Sequence, residues 1–433
     1  MHDGTLYDRL DATSQACIDG VTSRYRCTMQ EVRELCEAAR DLAMWGEPGI
    51  DEWWAAAEAA GAEAAGAESA VHLRLNPRER KKRLIAALRE HMQRLRSEPT
   101  RYDRPAAKPE RPPAKPERPP LRFVDAPADT SVFGDCPVRS DRTLCCNLKT
   151  IDAVQNCSFG CSYCTIQTFY GDRVAVDRDL GRKLREIELD NRRFYHIGTG
   201  QSSDSLVWGN RAGMLDELCR FAGEHPNVLL ELKTKSANVS YFLDRQVPAN
   251  LVCSWSLNTA AVIEHEEHFT ASLERRLAAA RRFADGGRMV AFHFHPMVHY
   301  DGWDTEYPAL AKRLLDSFAP EEVAFLSMGS VTFIKPVIKQ IRQRGEPTRI
   351  LQAELVADPH GKLTYPDELK VRMFRTMYRA FAPWHGRVFM YLCMEKATIW
   401  DQAFGWRYAS NDEFERAFGA ATLGWPPGER QSA

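Results

Sequence analysis

The chain has 433 residues, of which 44% are apolar and 27% are charged. This length is enough for two or three domains, and the composition is that of a folded protein rather than a disordered one. Because 58 basic side chains nearly balance 59 acidic ones, the overall charge excludes a protein built mainly to coat nucleic acid, although a local basic patch stays open. The chain has no apolar run of membrane-spanning length and no secretory start, which predicts a cytoplasmic protein without membrane contact.

The first 96 residues have the pattern of a helical region. From Met29 to Trp45 the apolar residues recur at helical spacing, and the segment from Trp53 to Ala70 is rich in Ala and Glu, which favours helix. The segment from Asn76 to Arg96 carries eight basic side chains around an apolar stripe. Two interpretations of this basic helix stay open, a solvated helix face and a helix that contacts phosphates.

A proline-rich linker is predicted at residues 97–123. It contains the sequence AKPERPP twice in tandem, at residues 107–113 and 114–120. Such a charged, proline-rich repeat cannot build a core, so an extended spacer is expected.

Residues 124–425 alternate between strand-like runs and helical stretches. The strand-like runs include Phe194–Ile197, Val228–Leu232, Leu251–Ser256, Met289–Phe294, Val323–Leu326 and Val388–Leu392. This alternation predicts an α/β domain of βαβ units with a parallel sheet, either open or closed toward a barrel. Ligands bind such folds at the carboxyl ends of the strands.

Cysteine clustering is the most informative feature of the sequence. Cys157, Cys161 and Cys164 have the spacing Cys-x3-Cys-x2-Cys, and three thiolates this close together can hold one soft metal centre. A [4Fe–4S] cluster normally takes four cysteines, so three would leave one iron open. The alternatives at this point are a structural zinc site, with Cys136, Cys145 or Cys146 as the fourth ligand, and a redox dithiol of the last two motif cysteines.

The Cys-x3-Cys-x2-Cys spacing resembles the hallmark of the radical S-adenosylmethionine (radical SAM) superfamily, in which an aromatic residue, here Tyr163, often precedes the last cysteine. The order of further segments, over about Val138–Trp406, is similar to that of the spore photoproduct lyase-like group, which includes proteins called DNA repair photolyases. The matching segments are GTGQSSDSL at 198–206, LELKTK at 230–235, SWSLN at 254–258, FHFHP at 292–296, YDGW at 300–303 and YLCME at 391–395.

This resemblance implies a partial (β/α) barrel, a [4Fe–4S] cluster on the three motif cysteines, and S-adenosylmethionine as cofactor. In the superfamily, an electron from a low-potential donor of the flavodoxin or ferredoxin type cleaves the cofactor to methionine and a 5'-deoxyadenosyl radical, which abstracts hydrogen from a substrate. The residues that match the family's cofactor site are Tyr163, Ser202, Ser203, Lys235, Ser256 and Asn258. By resemblance, one of the two adjacent serines helps to hold the cofactor, the lysine binds its carboxylate, and the Ser-x-Asn pair contacts its ribose.

Two positions depart from spore photoproduct lyase itself. Gln201 stands where that enzyme has a hydrogen-donating cysteine, and Thr165 stands where it has a second tyrosine. An amide cannot donate a hydrogen atom as a thiol does, so the resemblance alone does not identify the substrate. Three functions therefore stay open. They are a lyase-like enzyme that acts on a DNA photolesion, a radical SAM enzyme that tailors a small molecule, and a zinc-stabilised protein that binds nucleic acid.

The adjacent Cys145 and Cys146 are candidate substrate-binding or hydrogen-donating thiols. Arg142 and Lys149 lie nearby in the sequence, and basic neighbours would lower the thiol pKa values. The alternative is that they are two small residues of a strand or loop without chemistry.

His293 and His295 are further catalytic candidates. In a strand they point to the same face, where they could donate or accept protons at the substrate. The acidic segment Glu264–His268 is assigned no chemistry and is expected to be a solvated helix or loop.

Overall fold

The computed structural model describes residues 5–67, 76–103, 120–136, 142–166, 169, 171–358 and 360–426. The chain forms two compact units, one of Met1–Glu117 with Ile338–Glu354 and the other of Arg118–Val337 with Leu355–Ala433. The segment 338–354 therefore belongs to the first unit, whereas the sequence placed it within the barrel domain. The tandem AKPERPP repeat lies outside the described residues except for its last proline.

The first unit is helical. Its helices are α1 (Ala12–Tyr25), α2 (Met29–Trp45), α3 (Ile50–Ala67) and α4 (Pro77–Ser97). The predicted span of α2 is confirmed, because Leu35 and Leu42 are fully buried on one face at helical spacing. The returning segment 338–354 is tied to these helices by main-chain contacts, since the Thr348 amide donates to the Met44 carbonyl at 2.8 Å.

Several basic side chains of helix α4 form ion pairs with acidic residues of the first unit. Lys81 forms an ion pair with Glu31 at 2.7 Å, and Arg96 forms one with the buried Asp41 at 3.1 Å. The predicted apolar stripe is buried and consists of Leu84, Leu88 and Met92. These pairs favour the interpretation of α4 as a packed, solvated helix over that of a phosphate-contacting one.

The start of α2 offers a stability test. The Thr28 hydroxyl accepts a hydrogen bond from the Glu31 amide, and the Glu31 carboxylate accepts one from the Thr28 amide. Because this capping box satisfies two otherwise free helix N–H groups, Thr28→Ala should lower the free energy of unfolding by about 1 kcal/mol. Urea denaturation followed by circular dichroism measures the change. A Thr28→Ser control should retain most of the wild-type value, and equal losses in both variants would contradict the capping role.

The second unit contains an eight-stranded, curled partial barrel, which confirms the predicted fold class. Seven strands run parallel and pair in chain order. They are β1 (Lys149–Ile151), β2 (Tyr195–Thr199), β3 (Val228–Thr234), β4 (Leu251–Ser256), β5 (Val290–Met297), β6 (Val323–Ser330) and β7 (Phe389–Leu392). The eighth strand, Phe133–Asp135, pairs antiparallel with β1.

The described residues outside this sheet form further helices and short strands. The helices are α5 (Leu180–Arg185), α6 (Met214–Glu224), α7 (Ser240–Leu243), α8 (Ala260–Glu266), α9 (Leu273–Ala284), α10 (Trp303–Ser317), α11 (Lys335–Arg344), α12 (Asp367–Ala380), α13 (Ala397–Phe404) and α14 (Asn411–Leu423). The short strands are Arg122–Asp125, Val154–Gln155, Gly160–Cys161, Arg173–Val176, Glu267–His268, Thr332–Phe333, Val356–Ala357 and Leu363–Thr364. Helix α11 crosses the boundary between the two units. Within the described ranges, every helix is too short or too polar to cross a membrane.

Candidate active site

The three motif cysteines lie on a loop that follows β1, at the carboxyl end of the first parallel strand. Cys161 is buried, while Cys157 and Cys164 are partly exposed. The short strand Gly160–Cys161 pairs antiparallel with Glu267–His268, and the Cys164 amide closes a turn onto the Cys161 carbonyl at 3.0 Å. The loop is thus held by main-chain hydrogen bonds.

Asn156 anchors the beginning of this loop. Its φ of 80° is in the left-handed region, which asparagine tolerates better than most side chains. Its side-chain amide donates to the carbonyls of Gly171 and Arg173, both at 2.8 Å, and its side-chain oxygen accepts from the Cys157 amide at 2.7 Å. A single side chain therefore fixes the backbone immediately before the first cysteine.

A buried ionic group supports the other side of the loop. Glu267 accepts hydrogen bonds from the Tyr163 hydroxyl and from Arg276, the latter at 2.5 Å. Glu267 and Arg276 are 2% and 0% exposed. Burial alone would raise the pKa of Glu267, but the positive charges of Arg276 and Lys235 outweigh it and hold this pKa below its ordinary value. Glu267 is therefore an ionised support of the loop.

The expectation of a solvated acidic segment at 264–268 is wrong for its two central glutamates. Glu266 is fully buried and accepts hydrogen bonds from the Ser162 hydroxyl and, through its carbonyl, from the Ser162 amide. Glu267 is bonded to Tyr163 and Arg276. A local pattern predicts a surface position for both glutamates, because it does not show the partners that the fold brings to them.

The thiols of the loop suit a soft metal centre. Burial raises the pKa of Cys157 and of Cys161, and the nearby charge of Lys235 partly opposes this for Cys161. Metal binding removes the thiol proton, and it is therefore the natural way to hold buried thiolates. In the described ranges, no three His, Cys, Asp or Glu side chains converge on a point that could hold one metal ion. In a [4Fe–4S] cluster each cysteine binds a different iron, so such convergence is not required.

Ser202 and Ser203 lie after β2 and are both buried. The Ser202 hydroxyl donates to Asp152 at 2.5 Å, and the Ser203 hydroxyl donates to the Asn156 carbonyl at 2.6 Å. The Ser202 carbonyl also accepts from the Asn156 amide at 2.8 Å. The Ser203 hydroxyl oxygen also accepts from the Trp208 indole at 2.9 Å. Both predicted cofactor serines thus brace the loop.

Lys235 follows the end of β3 and reaches the cysteine loop. Its ammonium lies 5.7 Å from the centre of the Tyr163 ring, which brings two of the predicted cofactor residues together. Its backbone is fixed by the buried Asp204, which accepts from the Lys235 amide at 2.7 Å and from the Thr234 hydroxyl at 2.8 Å. Burial raises the pKa of Asp204, and these hydrogen bonds oppose the rise.

Ser256 and Asn258 lie at the end of β4 and are buried. The Asn258 amide donates to the Pro296 carbonyl at 3.0 Å, and its oxygen accepts from the Tyr307 hydroxyl. The Ser256 carbonyl accepts from Arg276 at 2.8 Å. The pair therefore sits beside the buried ionic group at the predicted edge of the barrel, with the Asn258 side chain already committed to neighbours.

A carboxylate in the barrel lumen joins three strands. Glu231 on β3 contacts His196 of β2 at 2.8 Å and His293 of β5 at 2.5 Å, and it accepts from the Ser254 hydroxyl of β4. The pKa of Glu231 is well below its ordinary value, because the bonded histidines outweigh the effect of burial. Burial and the charge of Lys233 lower the pKa of His293 to about 4, so near neutral pH a neutral His293 donates to an ionised Glu231.

His293 and His295 share the lumen face of β5, as predicted, with ring centres 5.4 Å apart. His295 lies nearer the mouth and contacts the Ser327 hydroxyl at 3.0 Å. Burial, with the charges of Lys233 and His293, holds the pKa of His295 well below its ordinary value. A neutral imidazole therefore lies at the mouth of the barrel.

The predicted lowering of thiol pKa values is wrong for Cys146. A hydrogen bond with Cys145, burial, and the nearby thiols of Cys393 and Cys136 raise the pKa of Cys146 well above its ordinary value. Lys149, one of the basic neighbours in sequence, is instead bonded to Asp135. The adjacent cysteines thus belong to a group of four neighbouring thiols.

Known proteins resemble this part of the chain. Residues 148–357 match the family model described as spore photoproduct lyase. Over residues 148–357 the chain is therefore similar to spore photoproduct lyases, and we call these residues the lyase-like domain. The spore photoproduct lyase of Clostridium acetobutylicum is 27% identical over 178 residues, which are 40% of this chain and 53% of that protein. The chain thus aligns with little more than half of that relative's length.

Solved structures are similar to this chain as well. A spore photoproduct lyase variant with the dinucleoside spore photoproduct is 25% identical, with a TM-score of 0.51 over 56% of this chain and 76% of that structure. Another variant, with bound AdoMet and the same dinucleoside, is 23% identical with a TM-score of 0.52 over 62% and 82%, and it shows the same fold.

The lyase-like domain contains functional candidates that the sequence analysis missed. Glu231, Lys233 and Arg276 are charged residues placed by the fold at the lumen or beneath the cysteine loop. Glu231 and Lys233 could have been found from the sequence, because each places a charge within the otherwise apolar strand β3. A buried charge in such a strand needs a partner or a function.

The lumen histidines of the lyase-like domain predict acid sensitivity. An unfolded histidine titrates near pH 6.5, whereas the pKa of His293 in the folded chain is lowered to about 4. As the pH falls below 6.5 the unfolded state therefore binds the proton first, and the free energy of unfolding should fall by roughly 2 kcal/mol between pH 7 and 5 for this residue. Urea titrations at both pH values measure the fall. His293→Gln should show a shallower fall, and an unchanged pH dependence in this variant would contradict the assignment.

Proposed function

We propose that the chain is a radical SAM enzyme that cleaves S-adenosylmethionine reductively and directs the resulting radical to a substrate in the barrel lumen. The observation that carries this proposal is the position of the three-cysteine loop, at the carboxyl end of β1 in a spore photoproduct lyase-like domain, with Lys235 beside it. Parallel barrels place their active sites at these strand ends.

Cys157, Cys161 and Cys164 would hold a [4Fe–4S] cluster and leave one iron for the amino and carboxylate groups of S-adenosylmethionine. When bound and reduced, the cluster supplies the electron that splits the cofactor into methionine and a 5'-deoxyadenosyl radical, which takes a hydrogen atom from the substrate. A low-potential protein of the flavodoxin or ferredoxin type is the proposed electron donor.

The chain's own residues bind and orient the cofactor in this proposal. Lys235 offers its ammonium to the methionine carboxylate, because it lies next to Tyr163 of the loop and an ammonium has three donors. Ser202 and Ser203 keep the loop in place through their hydrogen bonds to Asp152 and to the Asn156 carbonyl. Ser256 and Asn258 complete the site on the ribose side, at the end of β4.

The first candidate substrate is a DNA photolesion, because the related structures hold the dinucleoside spore photoproduct. With Gln201 in place of the donor cysteine, hydrogen return would fall to another thiol, and Cys145 and Cys146 are the proposed candidates. The second candidate is a small molecule, which the polar lumen around His293 and His295 favours.

The test is anaerobic reconstitution followed by incubation with dithionite, S-adenosylmethionine and the dinucleoside spore photoproduct. The proposal expects 5'-deoxyadenosine, and repaired dinucleotide in addition if the photolesion is the substrate. Formation of 5'-deoxyadenosine without repair supports the small-molecule alternative. A zinc-loaded protein that forms no 5'-deoxyadenosine would contradict the enzyme proposal and leave a nucleic-acid-binding protein.

A further inference from the structure

Two lysines follow one another on the lumen face at the end of β3. Side chains alternate along a strand, so Glu231, Lys233 and Lys235 share a face. That face points into the lumen, because Glu231 on it contacts His196 and His293 from neighbouring strands. Two positive charges therefore reach the carboxyl end of the barrel side by side.

Among the residues that the structure describes, Lys233 has no acceptor for its ammonium. It donates no side-chain hydrogen bond to them, and none of their carboxylates lies within ion-pair distance of it. The neighbouring Glu231 is already used by two histidines and the Ser254 hydroxyl. Burial and the like charge of Lys235 lower the pKa of Lys233, while Glu231 opposes the change. A partly buried ammonium with three free donors is costly unless a ligand or water accepts them.

Lys233 lies near a pocket at the barrel mouth. His295 and Cys393 line this pocket, at the carboxyl ends of β5 to β7, and Lys233 is not itself a lining residue. The ammonium of Lys233 is close enough to both side chains for its charge to favour lower pKa values there. The same pocket is lined by Gly329, where a Cβ atom would lie 2.7 Å from the His295 ring. The absence of a side chain at Gly329 therefore leaves His295 room at the mouth.

We propose that Lys233 binds an oxyanion of the substrate, a carboxylate or a phosphate, with His295 as a neutral neighbour at the barrel mouth. The inference rests on the proposed function, because it gives Lys235 to the methionine carboxylate and leaves the second cation for the substrate. Lys235 then binds the methionine carboxylate, and Lys233 binds the anionic group of the substrate in the same lumen. The substrate class that follows is an anionic molecule whose charged oxygen group lies close to its reacting carbon.

The test measures anion binding by the full-length, anaerobically reconstituted protein saturated with S-adenosylmethionine. Isothermal titrations use inorganic phosphate, acetate and the dinucleotide thymidylyl-thymidine as probes, so that the arms distinguish a phosphate, a carboxylate and a phosphodiester. At least one of the three probes should bind. Lys233→Met should weaken the affinity for that probe by about 10- to 100-fold, as expected when one side of a charge pair is removed. Lys233→Arg should keep most of the affinity, and Lys335→Met, at an exposed lysine, should match the wild type.

Two results would overturn the proposal. One is the absence of binding by any of the three probes, and the other is equal affinity in the wild type and Lys233→Met. Iron content and 5'-deoxyadenosine formation are measured on the same sample, so a failure of the anion site is separable from a failure of the proposed function. If Lys233→Met does not fold, NMR of methylated lysines in the wild type replaces it. The pKa of Lys233 should then rise when the probe is added, and an unchanged pKa would contradict the site.

Discussion

Replacing Cys161 with alanine should abolish assembly of an iron–sulfur centre. Cys161 is the buried member of the motif, on the short strand that pairs with Glu267–His268. Two remaining thiolates cannot hold a cluster that already lacks a fourth cysteine, and metal sites lose most of their affinity when a ligand is removed. The expected result is loss of more than about nine-tenths of the iron and sulfide that the wild type takes up on reconstitution.

Cys219→Ala is the matched control, because Cys219 lies in the same unit on α6, away from the loop. It should take up the wild-type amounts of iron and sulfide. Equal iron in the wild type and Cys161→Ala, with unchanged visible absorption, would contradict the ligand assignment. Circular dichroism of each apoprotein distinguishes loss of the centre from loss of the fold.

Replacing Arg276 with methionine should destabilise the second unit by about 3 to 5 kcal/mol. Arg276 is fully buried and donates to Glu267, to the Ser256 carbonyl at 2.8 Å and to the Ala271 carbonyl at 2.8 Å. Its removal leaves an uncompensated carboxylate in the interior, which is more costly than the loss of the pair itself. The free energy of unfolding from urea denaturation measures the effect.

The neighbouring Arg275 is exposed and gives the control. Arg275→Met should change the free energy of unfolding by less than about 0.5 kcal/mol. The double variant Glu267→Gln with Arg276→Met should recover part of the stability, because the buried charge is then gone. If the single Arg276→Met variant is as stable as the Arg275→Met control, this result would contradict the role of the buried Arg276–Glu267 pair in supporting the cysteine loop.

The parallel sheet could be predicted from the sequence because its strands are buried and therefore nearly continuously apolar. The predicted run Leu251–Ser256 coincides with β4, and all six of its residues are buried. Other strands extend past their apolar runs, as β5 does to Met297 and β6 to Ser330. These extensions carry polar residues into the site, so the apolar pattern ends before the strand does.

The ionic contacts of the site could not be predicted in the same way. Glu267 is bonded to Arg276, nine residues away, and also to Tyr163, which is 104 residues away. Likewise, Glu231 finds its partners 35 and 62 residues away in the chain. A local pattern assigns such residues to the surface, because only the register between distant strands reveals that their charges are compensated.

The proposed cluster is tested most directly by metal analysis and electron paramagnetic resonance of the anaerobically reconstituted, dithionite-reduced protein, with and without S-adenosylmethionine. We expect about four irons and four sulfides per chain, and a reduced-cluster signal that changes when S-adenosylmethionine is added, because one iron would be open to it. A protein that holds zinc without iron, or an iron–sulfur signal that S-adenosylmethionine leaves unchanged, would contradict the proposed cluster.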